Sequence, residues 1–128
     1  EAALVPAEMD DIRAIGTEIA HFAMNSNLRA MQAAYEQSGE YGLTLPDPVA
    51  MTIALDPSAA PEKSSHFVDV ETVSDLTRGM TVVDRFGVSK EPYNVPVWSA
   101  IRERGHKAAI CWSLDIPKWK SMLRAALS

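Results

Sequence analysis

Two prolines bracket one carboxylate in Leu45-Pro46-Asp47-Pro48, and the apolar run Val49-Ala50-Met51-Thr52-Ile53-Ala54-Leu55 follows at once. Proline suits the first turn of a helix, where its missing N–H costs nothing, and it stiffens the approach. We therefore expect a helix with Pro48 at its first position and Asp47 held at its N-terminus. An aspartate there can cap the helix by accepting a backbone N–H, or point outward and hold a cation. Asp56-Pro57 closes the helix, because the residue before a proline is pushed out of the helical region.

Upstream, Pro6 followed by Glu8, Asp10 and Asp11 opens a first helix, with acidic residues at the positive end of its dipole. Gly16 interrupts the pattern and Thr17 can cap a second helix, whose apolar residues keep helical spacing to Tyr35 and which should end near Ser38-Gly39. His21 lies on or beside its apolar face, where a lone histidine is more often a packing residue than a catalytic one. Residues 39–45 form a loop carrying Glu40 and Tyr41. Downstream, residues 66–73 and 79–85 read as two strands of a hairpin around a turn at 74–76. Residues 86–92 read as a polar loop, 94–98 as a short strand, 102–106 as a charged turn and 107–114 as a buried strand. Asp115 caps a closing helix with Pro117 in its first turn. Taken alone, this is an α+β pattern.

The pieces Asp47-Pro48-Val49-Ala50, Ala54-Leu55-Asp56-Pro57, Val68-Asp69-Val70-Glu71-Thr72 and Leu76-Thr77-Arg78-Gly79-Met80-Thr81-Val82-Val83-Asp84 resemble, in order and spacing, the C-terminal part of the inosine–uridine preferring nucleoside hydrolases. The resemblance runs over nearly all of the chain. It implies an α/β fold and the C-terminal segment, residues 1–128, of a longer hydrolase domain. The family's aspartate-rich N-terminal motif is not found here. The expected activity is cleavage of the N-glycosidic bond of ribonucleosides to ribose and free base, with this segment inactive without the N-terminal half.

Such chemistry needs an activated water, stabilisation of charge on the sugar ring, and help for the departing base. A hard cation held by carboxylate oxygens can activate the water and orient the ribose hydroxyls. In the resembled family that cation is calcium, and Asp47 matches one of its ligands. The other ligands and the general base belong to the N-terminal half. Many members carry a histidine just before this aspartate, and other branches a tryptophan. Here Pro46 can neither donate a proton nor stack as an aromatic ring would. Tyr35 and Tyr41, in the helix and loop that flank the family's base pocket, are the candidate groups for the base, although a phenol is a poor acid at neutral pH. His21 is a third option.

Arg78 reads as a residue that fixes its turn by pairing with a carboxylate or carbonyls, and Gly79 as a backbone requirement. Asp69, Glu71 and Asp84 read as solvated or paired acids, and His66 and His106 as exposed. A non-catalytic binding or assembly module of the same fold is the alternative.

The 128 residues carry twelve Lys and Arg against seventeen Asp and Glu, a net charge of −5 with no basic run, which argues against a nucleic-acid partner. The expected partner is a small-molecule nucleoside, and the resemblance implies a homo-oligomer. No run is apolar enough to span a membrane and no secretory signal is read. The chain starts at Glu1 rather than Met, consistent with processing or truncation. The single cysteine, Cys111, reads as a buried small hydrophobe suited to a reducing, cytoplasmic setting.

Overall fold

The computed structural model describes residues 2–39, 41–103 and 107–128. In chain order the elements are β1 (Ala3–Leu4), α1 (Pro6–Arg13), α2 (Glu18–Ser26), α3 (Leu28–Ser38), β2 (Leu43–Thr44) and α4 (Pro46–Leu55). After a 3-10 turn at Pro57–Ala59 come β3 (Lys63–His66), β4 (Val68–Val70) and β5 (Thr81–Val83). A second 3-10 turn at Val88–Lys90 leads to α5 (Val95–Glu103), β6 (Ala108–Cys111) and α6 (Ile116–Leu127). This is a mixture of helices and strands, as expected. It forms two compact units: residues 1–61 with 113–128, and residues 62–112.

The first unit is helical, and β1 pairs antiparallel with β2 through Ala3↔Thr44 and Leu4↔Leu43. Its core gathers Leu4, Met9, Ile12, Met24, Met31 and Leu43 around Trp119, which is wholly buried. Trp119 comes from α6, so the end of the chain fills the centre of a unit begun by α1. Glu8 on α1 takes the Lys120 ammonium on both oxygens at 2.6 and 2.8 Å, and Arg124 reaches Asp11 at 3.5 Å. The Lys120 hydrogen bond, aided by the Val5 N–H, holds the Glu8 carboxyl below its usual range.

The long second helix expected from Thr17 to Ser38 is divided in two at Asn27. The Ser26 hydroxyl and the Asn27 amide both donate to the Ala23 carbonyl, at 3.3 and 2.8 Å. Side chains that bond backbone this way compete with the helical ladder. The C-terminal stop is as read: Gly39 adopts φ 72°, the left-handed cap that glycine takes without strain.

In the second unit β3 pairs antiparallel with β6, and β4 with β5 in a hairpin with Val68↔Val83 register. The single strand expected over 66–73 is thus two strands, separated at Phe67, with two different partners. The strand expected at 94–98 is a helix. Val95 and Val97 have β character, but Pro96 sits in a first turn, and the Val95 and Trp98 amides bond the Glu91 and Asn94 carbonyls. The strand at 107–114 is confined to β6 and mostly exposed, Cys111 included, because among the described residues β6 pairs with β3 alone. The reading of Cys111 as buried is corrected. No helix among the described residues is long and apolar enough to cross a membrane.

Candidate active site

The helix bearing Asp47 begins two residues earlier than expected. Pro46 is its first residue and Leu45 its N-cap, with no side-chain capping bond. Asp47 therefore lies inside the first turn rather than before it. Its exposed carboxylate makes no hydrogen bond or ion pair with any described residue. The capping role is not taken up. The α4 stripe is broadly apolar and buries chiefly Thr52, leaving Met51 and Leu55 at the surface.

Beside this turn, Ala2, Thr44, Leu45, Pro46, Val49 and Ile53 line an open apolar hollow of about 490 Å³. A second hollow of about 430 Å³ is walled by Leu4, Ala34, Ser38, Tyr41, Thr44 and Lys120. Thr44 belongs to both walls. Tyr35 and Tyr41 are brought together, ring centroids 5.6 Å apart and edge to face at 68°. Gly42 follows Tyr41 with its α-carbon so near the Leu4 carbonyl that a β-carbon would stand 3.4 Å from that oxygen. Tyr41 lines the second hollow; Tyr35 and Asp47 line neither. His21 is exposed on α2.

A carboxylate at a helix N-terminus has the right chemistry for a hard cation, which takes six to eight oxygen ligands. Among the described residues no group of three acidic, His or Cys side chains converges anywhere, so these residues offer single ligands and not a closed site.

Glu71, Asp75 and Asp84 of the second unit hold local structure. Glu71 accepts the Val73 and Ser74 amides at 2.6 and 3.1 Å, and these bonds lower its pKa. Arg78 pairs with Asp75 at 2.5 Å, as a turn-fixing residue should. Gly79 has φ 90° and donates its N–H to the Glu71 carbonyl at 2.7 Å, which closes the hairpin.

Asp84 was read as solvated or paired with a cation; it is buried and bonded to backbone instead. Burial opposes its charge, but the Ser89 hydroxyl and the N–H groups of residues 87–89 outweigh that and hold its carboxyl below the usual range. His66, read as exposed, is half-buried with both ring nitrogens engaged: Nδ1 lies 2.9 Å from the Asp84 carbonyl oxygen and Nε2 2.7 Å from Ser64 Oγ. A carbonyl can only accept, so Nδ1 carries the proton. The Trp112 indole N–H also donates to Ser64 Oγ, at 2.6 Å. Ser64 and His66 stand two apart on one strand face, a spacing readable in sequence; the Trp112 and Asp84 contacts depend on strand pairings that were not. Glu40 and His106 lie outside the described residues.

Over residues 1–118 the chain matches the family described as inosine-uridine preferring nucleoside hydrolase. It is 31% identical over 119 residues to the pyrimidine-specific ribonucleoside hydrolase RihA of Shewanella sp. (strain ANA-3), covering 91% of this chain and 36% of that one. The same-named protein of Shewanella oneidensis is 28% identical over 117 residues, 89% of this chain and 36% of the relative. The chain thus spans little more than a third of the length of these relatives. Among solved structures, an inosine-guanosine nucleoside hydrolase aligns with 98% of this chain and 35% of its own, at TM-score 0.67 and 18% identity, a likeness of fold. The chain belongs to the inosine-uridine preferring nucleoside hydrolase family.

Proposed function

We propose that this chain is the C-terminal part of a calcium-dependent nucleoside hydrolase that cleaves ribonucleosides to ribose and free base. The observation that carries the reading is the Asp47 carboxylate, exposed, unpartnered among the described residues and presented from the first turn of α4 behind the rigid Pro46. A carboxylate committed to a cap or an ion pair would not be available to a cation. Calcium, when bound, would polarise a water and orient the ribose hydroxyls. Asp47 would supply one oxygen ligand, and the remaining ligands and the general base would come from the segment that precedes this one in the relatives.

The chain's own contribution to the base pocket is aromatic and apolar. The Tyr35–Tyr41 pair offers an edge and a face beside the hollow that Tyr41 lines, suited to holding a planar base clear of water. Pro46 removes the proton donor that a histidine would place before Asp47. Leaving-group assistance then falls to a tyrosine hydroxyl or to stabilisation of the departing base by its contacts. The same proline supports a second reading, in which the fold is kept as a non-catalytic binding or assembly module.

The test is calcium-dependent ribose release from inosine and uridine by the polypeptide that carries this segment together with the aspartate-rich one. Asp47→Ala should lower kcat/KM at least about 100-fold and weaken calcium binding while leaving the fold intact. Equal calcium affinity and equal turnover in the variant would overturn the assignment of Asp47. Absence of hydrolysis by the parent protein, with calcium present, favours the module.

A further inference from the structure

In the first unit the basic side chains are largely matched: Arg13 with Asp10, Lys118 with Asp56, Lys120 with Glu8 and Arg124 with Asp11. The second unit departs from this pattern: Arg102 bonds the Ser89 carbonyl rather than a carboxylate, and three further cations gather at one hollow. Arg85, Lys90 and Lys107 face one polar hollow of about 280 Å³, and none makes an ion pair with a described residue. The chain as a whole has an excess of acids, so these cations are not unpaired for want of carboxylates.

Two of the three are held by aromatic faces instead. The Arg85 guanidinium carbon stands 4.4 Å from the Trp112 ring centroid and 5.9 Å from that of Phe86, and Lys107 Nζ lies 5.0 Å from the Phe67 centroid. An aromatic face attracts a cation without neutralising it. Among the described residues the wall holds one carboxylate, Asp84, which is buried and accepts from the turn at residues 87–89, so it does not compete for the cations. His66 in the same wall is fixed between Ser64 and Asp84.

We propose that this hollow binds the phosphate group of a phosphorylated small molecule, with Arg85, Lys90 and Lys107 as its cationic contacts. A dianion among three uncompensated cations gains charge-assisted hydrogen bonds that a neutral nucleoside cannot make. The site lies wholly within residues 62–112 and is independent of Asp47 and the tyrosine pair.

The experiment titrates inorganic phosphate into the full chain at constant ionic strength, followed by calorimetry and by the indole N–H resonances, with Trp112 assigned through Trp112→Phe. Saturable binding should shift the Trp112 signal and leave that of the buried Trp119 in place. The Lys90→Gln/Lys107→Gln pair should weaken binding at least about tenfold. Arg29→Gln, an exposed change in the first unit, should not alter it. Ribose 5-phosphate should bind at least as tightly as phosphate, and ribose not at all. No saturable binding, or equal weakening by Arg29→Gln, would overturn the proposal. If the double variant loses its native circular dichroism, Lys90→Gln alone, at an exposed position, serves the same comparison.

Discussion

The Thr17 hydroxyl donates to the Leu127 carbonyl at 2.5 Å while its oxygen accepts the Ala20 amide at 3.2 Å. One side chain thus starts α2 and ends α6, across nearly the whole length of the chain. Thr17→Ala removes the cap and strands the carbonyl, and should cost about 1–2 kcal/mol in urea unfolding. Thr17→Ser keeps both bonds and should recover most of that. Equal losses in the two variants would show that the methyl group, not the hydroxyl, matters.

Trp119 fills the centre of the first unit, yet its indole N–H has no partner among the described residues. Trp119→Ala should cost about 3–5 kcal/mol through the cavity it leaves. Trp119→Phe leaves a smaller void and removes the orphaned donor, whose burial costs about 1–3 kcal/mol, so its net effect should be much smaller. Denaturation midpoints of the two variants decide this.

Asp56 takes the Lys118 ammonium, and that bond, with the Ser58 hydroxyl and amide, pulls its pKa from 3.8 to about 2. A depressed carboxyl pKa stabilises the folded state above the unfolded value, and the contribution is lost as pH falls. The Asp56 contribution should be complete above pH 3.8 and fade toward pH 2. Lys118→Met should flatten that part of the acid-unfolding profile. An unchanged profile would show the pair to be too solvated to count.

Gly79 closes the β4–β5 hairpin at φ 90° with open space where a β-carbon would stand. The objection to a side chain is therefore the backbone conformation alone. Gly79→Ala should cost about 1–2 kcal/mol, and Gly79→Asn less, because asparagine tolerates the left-handed region. A clash would penalise both alike. Thermal melts of the pair separate the two causes.

What was legible in the sequence depended on how local its cause was. Thr17, Gly39, Asp56-Pro57 and Asp115 act within a few residues of themselves, and each starts or stops its helix as read. The hairpin around Arg78-Gly79 was legible for the same reason. The break at Asn27 was missed because helical spacing of apolar residues continues through it, while two side chains divert one carbonyl. The helix at Val95 was missed because β-branched residues were weighed above Pro96. Exposure of Cys111 and burial of Asp84 could not be read, since both follow from which strand pairs with which. The family resemblance singles out Asp47 as a candidate metal ligand, and the structure adds that its carboxylate is not consumed by the helix whose first turn it occupies.

The two compact units also differ in how the chain composes them. Residues 62–112 leave the first unit and return to it beside their point of departure: the Trp112 amide bonds the Glu62 carbonyl at 2.9 Å, and the Asp115 amide bonds the Ala59 carbonyl at 2.8 Å. A stretch closed at its own base in this way behaves as a graft. Its length and sequence can drift, or be exchanged for a short turn, without moving the residues at which the host chain is rejoined. A change in the graft then leaves the two chain ends that the host must hold together where they are.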